Sequence, residues 1–120
     1  MVRILIADFD KNIGRLLKSE LESIGYVVDV VHQGTKMIVD SMVYAACDAL
    51  LLNMQMPCLD YFNRLKRIKR EIPSAHIIVL MNDSELQERA VLLDAGATVC
   101  FARHEISLLI TYLRRIEVHA

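Results

Sequence analysis

The sequence predicts an α/β domain in which a parallel five-stranded sheet carries helices on both faces. Two observations predict it. Five short apolar runs alternate along the chain with five segments of helical periodicity. The runs are apolar at successive positions rather than at every second one. That pattern describes strands buried on both faces, as a parallel sheet with helical crossovers requires.

The elements follow in order. Val2 to Ala7 (VRILIA) is a short, β-branched strand that ends at Asp8, Phe9 and Asp10. From Asn12 the apolar residues Ile13, Leu16, Leu17, Leu21 and Ile24 recur at helical spacing, and Gly25 suits a left-handed cap. Tyr26 to Val31 is the second strand, broken by Gln33 and Gly34. Thr35 to about Ala46 reads as a helix with apolar residues on several sides. Ala49 to Leu52 is the third strand, closed by Asn53, with Pro57 in the loop beyond. Asp60 is a candidate N-cap for a helix to about Glu71. Pro73 marks the next loop, and His76 to Met81 is the fourth strand. Asp83 or Ser84 begins a helix to about Asp94, which Gly96 ends. Thr98 to Phe101 is the fifth strand, and Glu105 to about Glu117 the last helix.

In open parallel sheets the ligand crevice lies beyond the carboxyl ends of the strands, at the switch in strand order. That rule collects Asp8, Phe9 and Asp10 from strand one, Asn53 from strand three, Met81 and Asn82 from strand four, and Arg103 from strand five.

Bulk properties narrow the function classes. A 120-residue chain that is 54% hydrophobic and 24% charged describes one folded domain over residues 1–120. A formal net charge of -1 gives no basic field for nucleic acid. The basic residues Arg64, Lys66, Arg67, Lys69 and Arg70 read as the solvated face of a helix whose core side is Leu65 and Ile68. Early charges at Arg3, Asp8 and Asp10 are unlike a secretory signal, and no apolar run is long enough to span a membrane. Cys47, Cys58 and Cys100 show neither CxxC nor Cys/His spacing, and His32, His76, His104 and His119 are scattered. These features are those of a reduced, cytoplasmic protein with inert thiols and no zinc scaffold. No glycine-rich loop follows strand one, which argues against a nucleotide-binding domain.

The stretches "RILIADFDKN", "LLKSELESIGYVVDVV", "DALLLNMQMPCLDYFNRLKRI", "IIVLMNDSE" and "LLDAGATVCFAR", in this order and spacing, resemble the CheY-like receiver domain of two-component response regulators. The resemblance runs from Arg3 to about Arg115, with Asp48, Pro57, Asp60, Gly96 and Ala97 at the family's framework positions. It implies a flavodoxin-like (βα)5 doubly wound sheet of strand order 2-1-3-4-5. It also implies phosphorylation of an aspartate at the end of strand three. An acidic pair after strand one helps to hold Mg2+, a Thr or Ser ends strand four, and a Lys-Pro ends strand five.

At those positions this chain carries Asp8 and Phe9, Asn53, Met81, and Arg103 followed by His104; Cys100 stands where the family has an aromatic residue. A carboxylate is a nucleophile and an amide is not. Mg2+ takes hard oxygen ligands, chiefly carboxylates. Met81 has no hydrogen to donate to a phosphoryl oxygen. The expectation is therefore a degenerate phosphorylation site at Asp8, Phe9, Asn53, Met81 and Arg103. No cofactor is expected, Mg2+ binding should be weak or absent, and no catalytic residue is assigned. Arg103 is expected to reach Asp8 or the Asn53 carbonyl, or else to extend into solvent. The expected role is signalling through a protein partner or a homodimer, with neither nucleic acid nor membrane engaged. The alternative is a regulator still phosphorylated at Asp8 or Asp10.

The face made by the helix after strand four, strand five and the last helix is the expected interface. Val91, Leu92, Leu108 and Tyr112 are its candidate residues, with Ala90 and Leu93 assigned to the core beside them. The last helix presents Ile106, Leu109, Ile110 and Leu113 inward. The apolar helix with Met37, Ile38, Val39, Met42, Val43 and Tyr44 is a rival surface.

Overall fold

A computed structural model describes residues 2–7, 11–31, 38, 40, 47–53, 61–81 and 88–119. Its strands are β1 (Arg3–Ala7), β2 (Val27–Val31), β3 (Ala49–Asn53), β4 (His76–Met81) and β5 (Val99–Ala102). Its described helices are α1 (Lys11–Ser23), α2 (Tyr61–Glu71), α3 (Arg89–Ala95) and α4 (Ile106–His119), with a 3₁₀ turn, Arg103–Glu105, joining β5 to α4. The strands form one parallel sheet in the order β2-β1-β3-β4-β5, as expected. Of the helix expected from Thr35 to Ala46, Ile38 and Asp40 alone are described, both helical, with Ile38 buried. Ile38 is thus a core residue and not part of a rival surface; the other residues of that surface, the loop holding Pro57, Cys58 and Asp60, and the cap expected at Asp83 or Ser84 lie outside the described residues.

The period of two along each strand splits the core into two layers. On one face Leu5, Leu50, Leu52, Ile77 and Val79 pack with Leu65 and Ile68 of α2 and Leu92 and Ala95 of α3. On the other, Ile4, Ile6, Leu51, Ile78 and Leu80 pack with Leu21 of α1 and Leu109, Leu113 and Ile116 of α4. All five residues of β3 are buried, which is why its sequence shows no alternation.

Two fasteners set the register at the amino ends of the strands. Arg3 N–H donates to Asp48 Oδ2 at 2.9 Å, and Asp48 N–H donates to the Arg3 carbonyl at 2.9 Å. Tyr112 of α4 shares a 3.1 Å hydrogen bond with His76 Nδ1 and meets the edge of Phe101, ring centroids 6.1 Å apart. The α2 stripe follows expectation in part: Leu65 and Ile68 are buried and Lys66, Arg67 and Arg70 face water, but Arg64 and Lys69, also assigned to the solvated face, are half-buried, Lys69 Nζ donating to the Ala75 carbonyl at 3.3 Å. Gly96 ends α3 at φ +129, and a Cβ there would meet the Lys69 Cβ at 3.0 Å, so both backbone angle and space select glycine.

Several side-chain assignments need correction. Leu92 is a core residue, 0% exposed, and not an interface candidate. Leu93, assigned to the core, is 42% exposed, and Ala90 is exposed as well. The reason is the short span of α3: it contacts the sheet through one i,i+3 pair, Leu92 and Ala95, so the residues flanking Leu92 turn outward. In α1, Leu16 (66% exposed) and Ile24 (44% exposed) lie off the buried stripe that ends at Leu21.

Candidate functional site

The carboxyl ends of β3 and β5 bring two of the predicted site residues together. Asn53 extends β3 by one residue, pairs in register with Leu80, and is 2% exposed. Arg103 follows β5 and opens the 3₁₀ turn. Its Nη2 donates to Asn53 Oδ1 at 2.6 Å. A charged donor on a buried amide oxygen is the stronger class of hydrogen bond. Arg103 therefore reaches the Asn53 side-chain carbonyl, one of its two expected targets. The other, Asp8, lies outside the described residues, as do Phe9, Asp10 and Asn82.

Met81 goes elsewhere. It is fully buried in the core layer shared with Leu92 and Cys100, whereas Leu80, one residue earlier, belongs to the opposite layer. A cleft of about 240 Å³ opens beside Arg103, lined by Leu16, Leu17, Glu20, Leu80 and Ile106. A larger cleft of about 510 Å³ lies at the other end of the sheet, among Asp48, Ala75, His76, Arg115 and the interface candidate Tyr112, away from Asn53 and Arg103.

The 3₁₀ turn makes further contacts that the sequence reading did not assign. Glu105 Oε1 accepts the Ala102 backbone N–H at 2.8 Å and Arg89 Nη2 at 3.3 Å. Glu105 thus makes the half of a capping box in which the third residue reaches back to the N-cap N–H; Ala102 has no hydroxyl to make the other half, so the sequence lacks the usual Ser/Thr-x-x-Glu signal. Arg89 had no signal either, because its partner is 16 residues away.

Burial governs the titrating groups. Cys100 is 4% exposed, and desolvation raises its thiol pKa above the usual 9.0, with the nearby Arg89 charge acting the other way. A thiol so raised stays protonated at neutral pH, which suits the inert role expected for it. Burial raises the Tyr112 phenol above 10.0.

The exposed apolar residues on this side are Val91 (52%) and Leu93 (42%) on α3 and Leu108 (49%) on α4. Val91 and Leu108 thus have the exposure an interface needs. Tyr112 is half-buried, with its hydroxyl engaged by His76.

The family profile described as the response regulator receiver domain matches residues 4–111. The response regulator MprA of Mycobacterium bovis is 33% identical over 96 residues, 80% of this chain and 41% of that protein. The chain thus spans about two-fifths of the length of that relative. The receiver domain of the TMAO respiratory system response regulator TorR superposes with a TM-score of 0.83 at 21% identity, covering 99% of this chain and 98% of that one. The receiver domain of Francisella response regulator 1452 gives 0.81 at 21% identity, covering 97% and 96%. At these identities the structural likeness speaks for the fold.

Proposed function

The chain belongs to the response regulator receiver domain family, and from that premise we propose that it is a receiver that signals through protein contact without accepting a phosphoryl group. One observation carries the reading. The residue that ends β3 is an amide, and its oxygen is held by a permanent cation at 2.6 Å.

The chemistry follows from that contact. Phosphoryl transfer to a receiver needs a carboxylate in which an oxygen lone pair attacks phosphorus. The Asn53 oxygen carries no such charge, and its lone pair already accepts from Arg103. Mg2+ fits the described part of the site poorly. Its preferred ligands are hard, anionic oxygens, and the described donor here is a neutral amide beside a guanidinium, which repels a second cation. Arg103 thus supplies from within the chain the positive charge that an ion and a phosphate-pairing lysine would bring from two sources.

A receiver built this way has no phosphoryl group to shift its two-state equilibrium, so it either rests in one conformation or is shifted by a protein partner. The surface it presents is the α3–β5–α4 face, whose candidate residues Val91 and Leu108 expose apolar area. Its partner is another signalling protein or a second copy of the chain.

The deciding experiment incubates the protein with Mg2+ and a small acyl phosphate and reads the intact mass. No adduct and no Mg2+ effect on stability are expected. An adduct mapped to Asp8 or Asp10 would replace this reading with a regulator phosphorylated at a different carboxylate.

A further inference from the structure

We propose that Glu105 and Arg89 form a strap that ties α3, and with it the exposed Val91 and Leu93, to the Asn53 end of the sheet. The inference stands apart from phosphoryl chemistry; it concerns how one end of the molecule holds another.

The strap is built on three residues. The 3₁₀ turn Arg103–Glu105 carries an arm at each end. The first arm is Arg103, whose guanidinium reaches β3 through Asn53 Oδ1 at 2.6 Å. The second is Glu105, whose Oε1 reaches α3 through Arg89 Nη2 at 3.3 Å. The same Glu105 oxygen accepts the Ala102 N–H at 2.8 Å, which fixes the turn to the end of β5. A turn this short has few internal torsions, so moving one arm moves the other.

Arg89 is set up to follow Glu105. It occupies the first position of α3, three residues before Leu92 and two before Val91. Its Nε is enclosed and has no hydrogen-bond partner among the described residues. Among the described residues its ion-pair partner is Glu105. Its charge also acts on Cys100, whose small buried side chain shares a core layer with Leu92.

The Arg89 and Glu105 side chains are 41% and 25% exposed, so screening leaves their pair little weight in global stability. A strap of this kind acts on position, and its test must read position.

The experiment uses nitrogen-labelled full chain and two readouts: the Asn53 side-chain amide resonance and hydrogen exchange at Val91 to Ala95. The variants are Arg89→Met, Glu105→Gln and Glu105→Ala. Arg67→Met is the control, because Arg67–Glu71 is an exposed pair within α2. Arg89→Met and Glu105→Ala are expected to shift the Asn53 resonance and to speed exchange in α3 roughly two- to fivefold. Glu105→Gln keeps an oxygen for the Ala102 N–H and is expected to fall between them and the native chain. The control is expected to move neither. Arg89→Met is a surface change that keeps the chain folded. An Asn53 resonance unmoved by Arg89→Met would overturn the proposal and leave Arg89–Glu105 an isolated surface pair.

Discussion

The contact between Asn53 and Arg103 is a measurable contribution as well as a chemical statement. Asn53 is the buried polar residue of the described core, and its oxygen receives a charged donor. Arg103→Met removes that donor and leaves the oxygen enclosed. The expected loss is about 1.5–3 kcal/mol, the range for a hydrogen bond to a charged group. Urea titration checks it: the midpoint falls while the slope stays native, since the buried area is nearly unchanged. The sequence alone reached as far as naming both residues, because strand ends can be read from where apolar runs stop. It left the partner of Arg103 open between Asp8 and Asn53, since side-chain reach depends on pleat and twist that a linear pattern does not carry. Neither Glu105 nor Arg89 carried a sequence signal, since Ala102 lacks the hydroxyl of a capping box and Arg89 lies 16 residues from its partner.

Among the elements, α3 separates pattern from packing most clearly. In "RAVLLDA" five of the seven residues are apolar, four of them consecutive, and periodicity gives no unique inner face. Geometry chooses Leu92 and Ala95, and so exchanges the roles first given to Leu92 and Leu93. The two leucines therefore make a paired test. Leu92→Ala opens a cavity in a filled layer and is expected to cost about 2–5 kcal/mol. Leu93→Ser changes a surface position and is expected to stay within about 0.5 kcal/mol of native. Sedimentation of the Leu93→Ser chain separates its two possible effects, since weakened association with unchanged stability assigns Leu93 to the interface. In α2 the inner face was legible because Leu65 and Ile68 are the apolar residues in a run of charged ones, so the pattern offers one choice of buried pair.

At the scale of the molecule, the fold class was legible because it depends on the alternation of strand and helix, which many residues report together, whereas the strand order was implied by the resemblance to the receiver family and not by the alternation. What titrates at this scale is also collective. Cys47, Cys100 and Tyr112 all have pKa values raised by burial, above 9.0 for the thiols and 10.0 for the phenol. A group raised in the folded state gives stability that is fully present below its unfolded value. That stability is lost as pH rises through the folded value. Folding free energy is therefore expected to decline from about pH 9 upward, and Cys100→Ala to flatten that decline; denaturation at a series of alkaline pH values reads both. The seam between α4 and the sheet has a further use. The chain has no tryptophan and four tyrosines, so its ultraviolet emission is tyrosine emission. Tyr112 sits half-buried, its hydroxyl bonded to His76 and its ring against the edge of Phe101. The fold thus holds a natural fluorophore across the joint between its last helix and strands β4 and β5, one that reports undocking of that helix without any label.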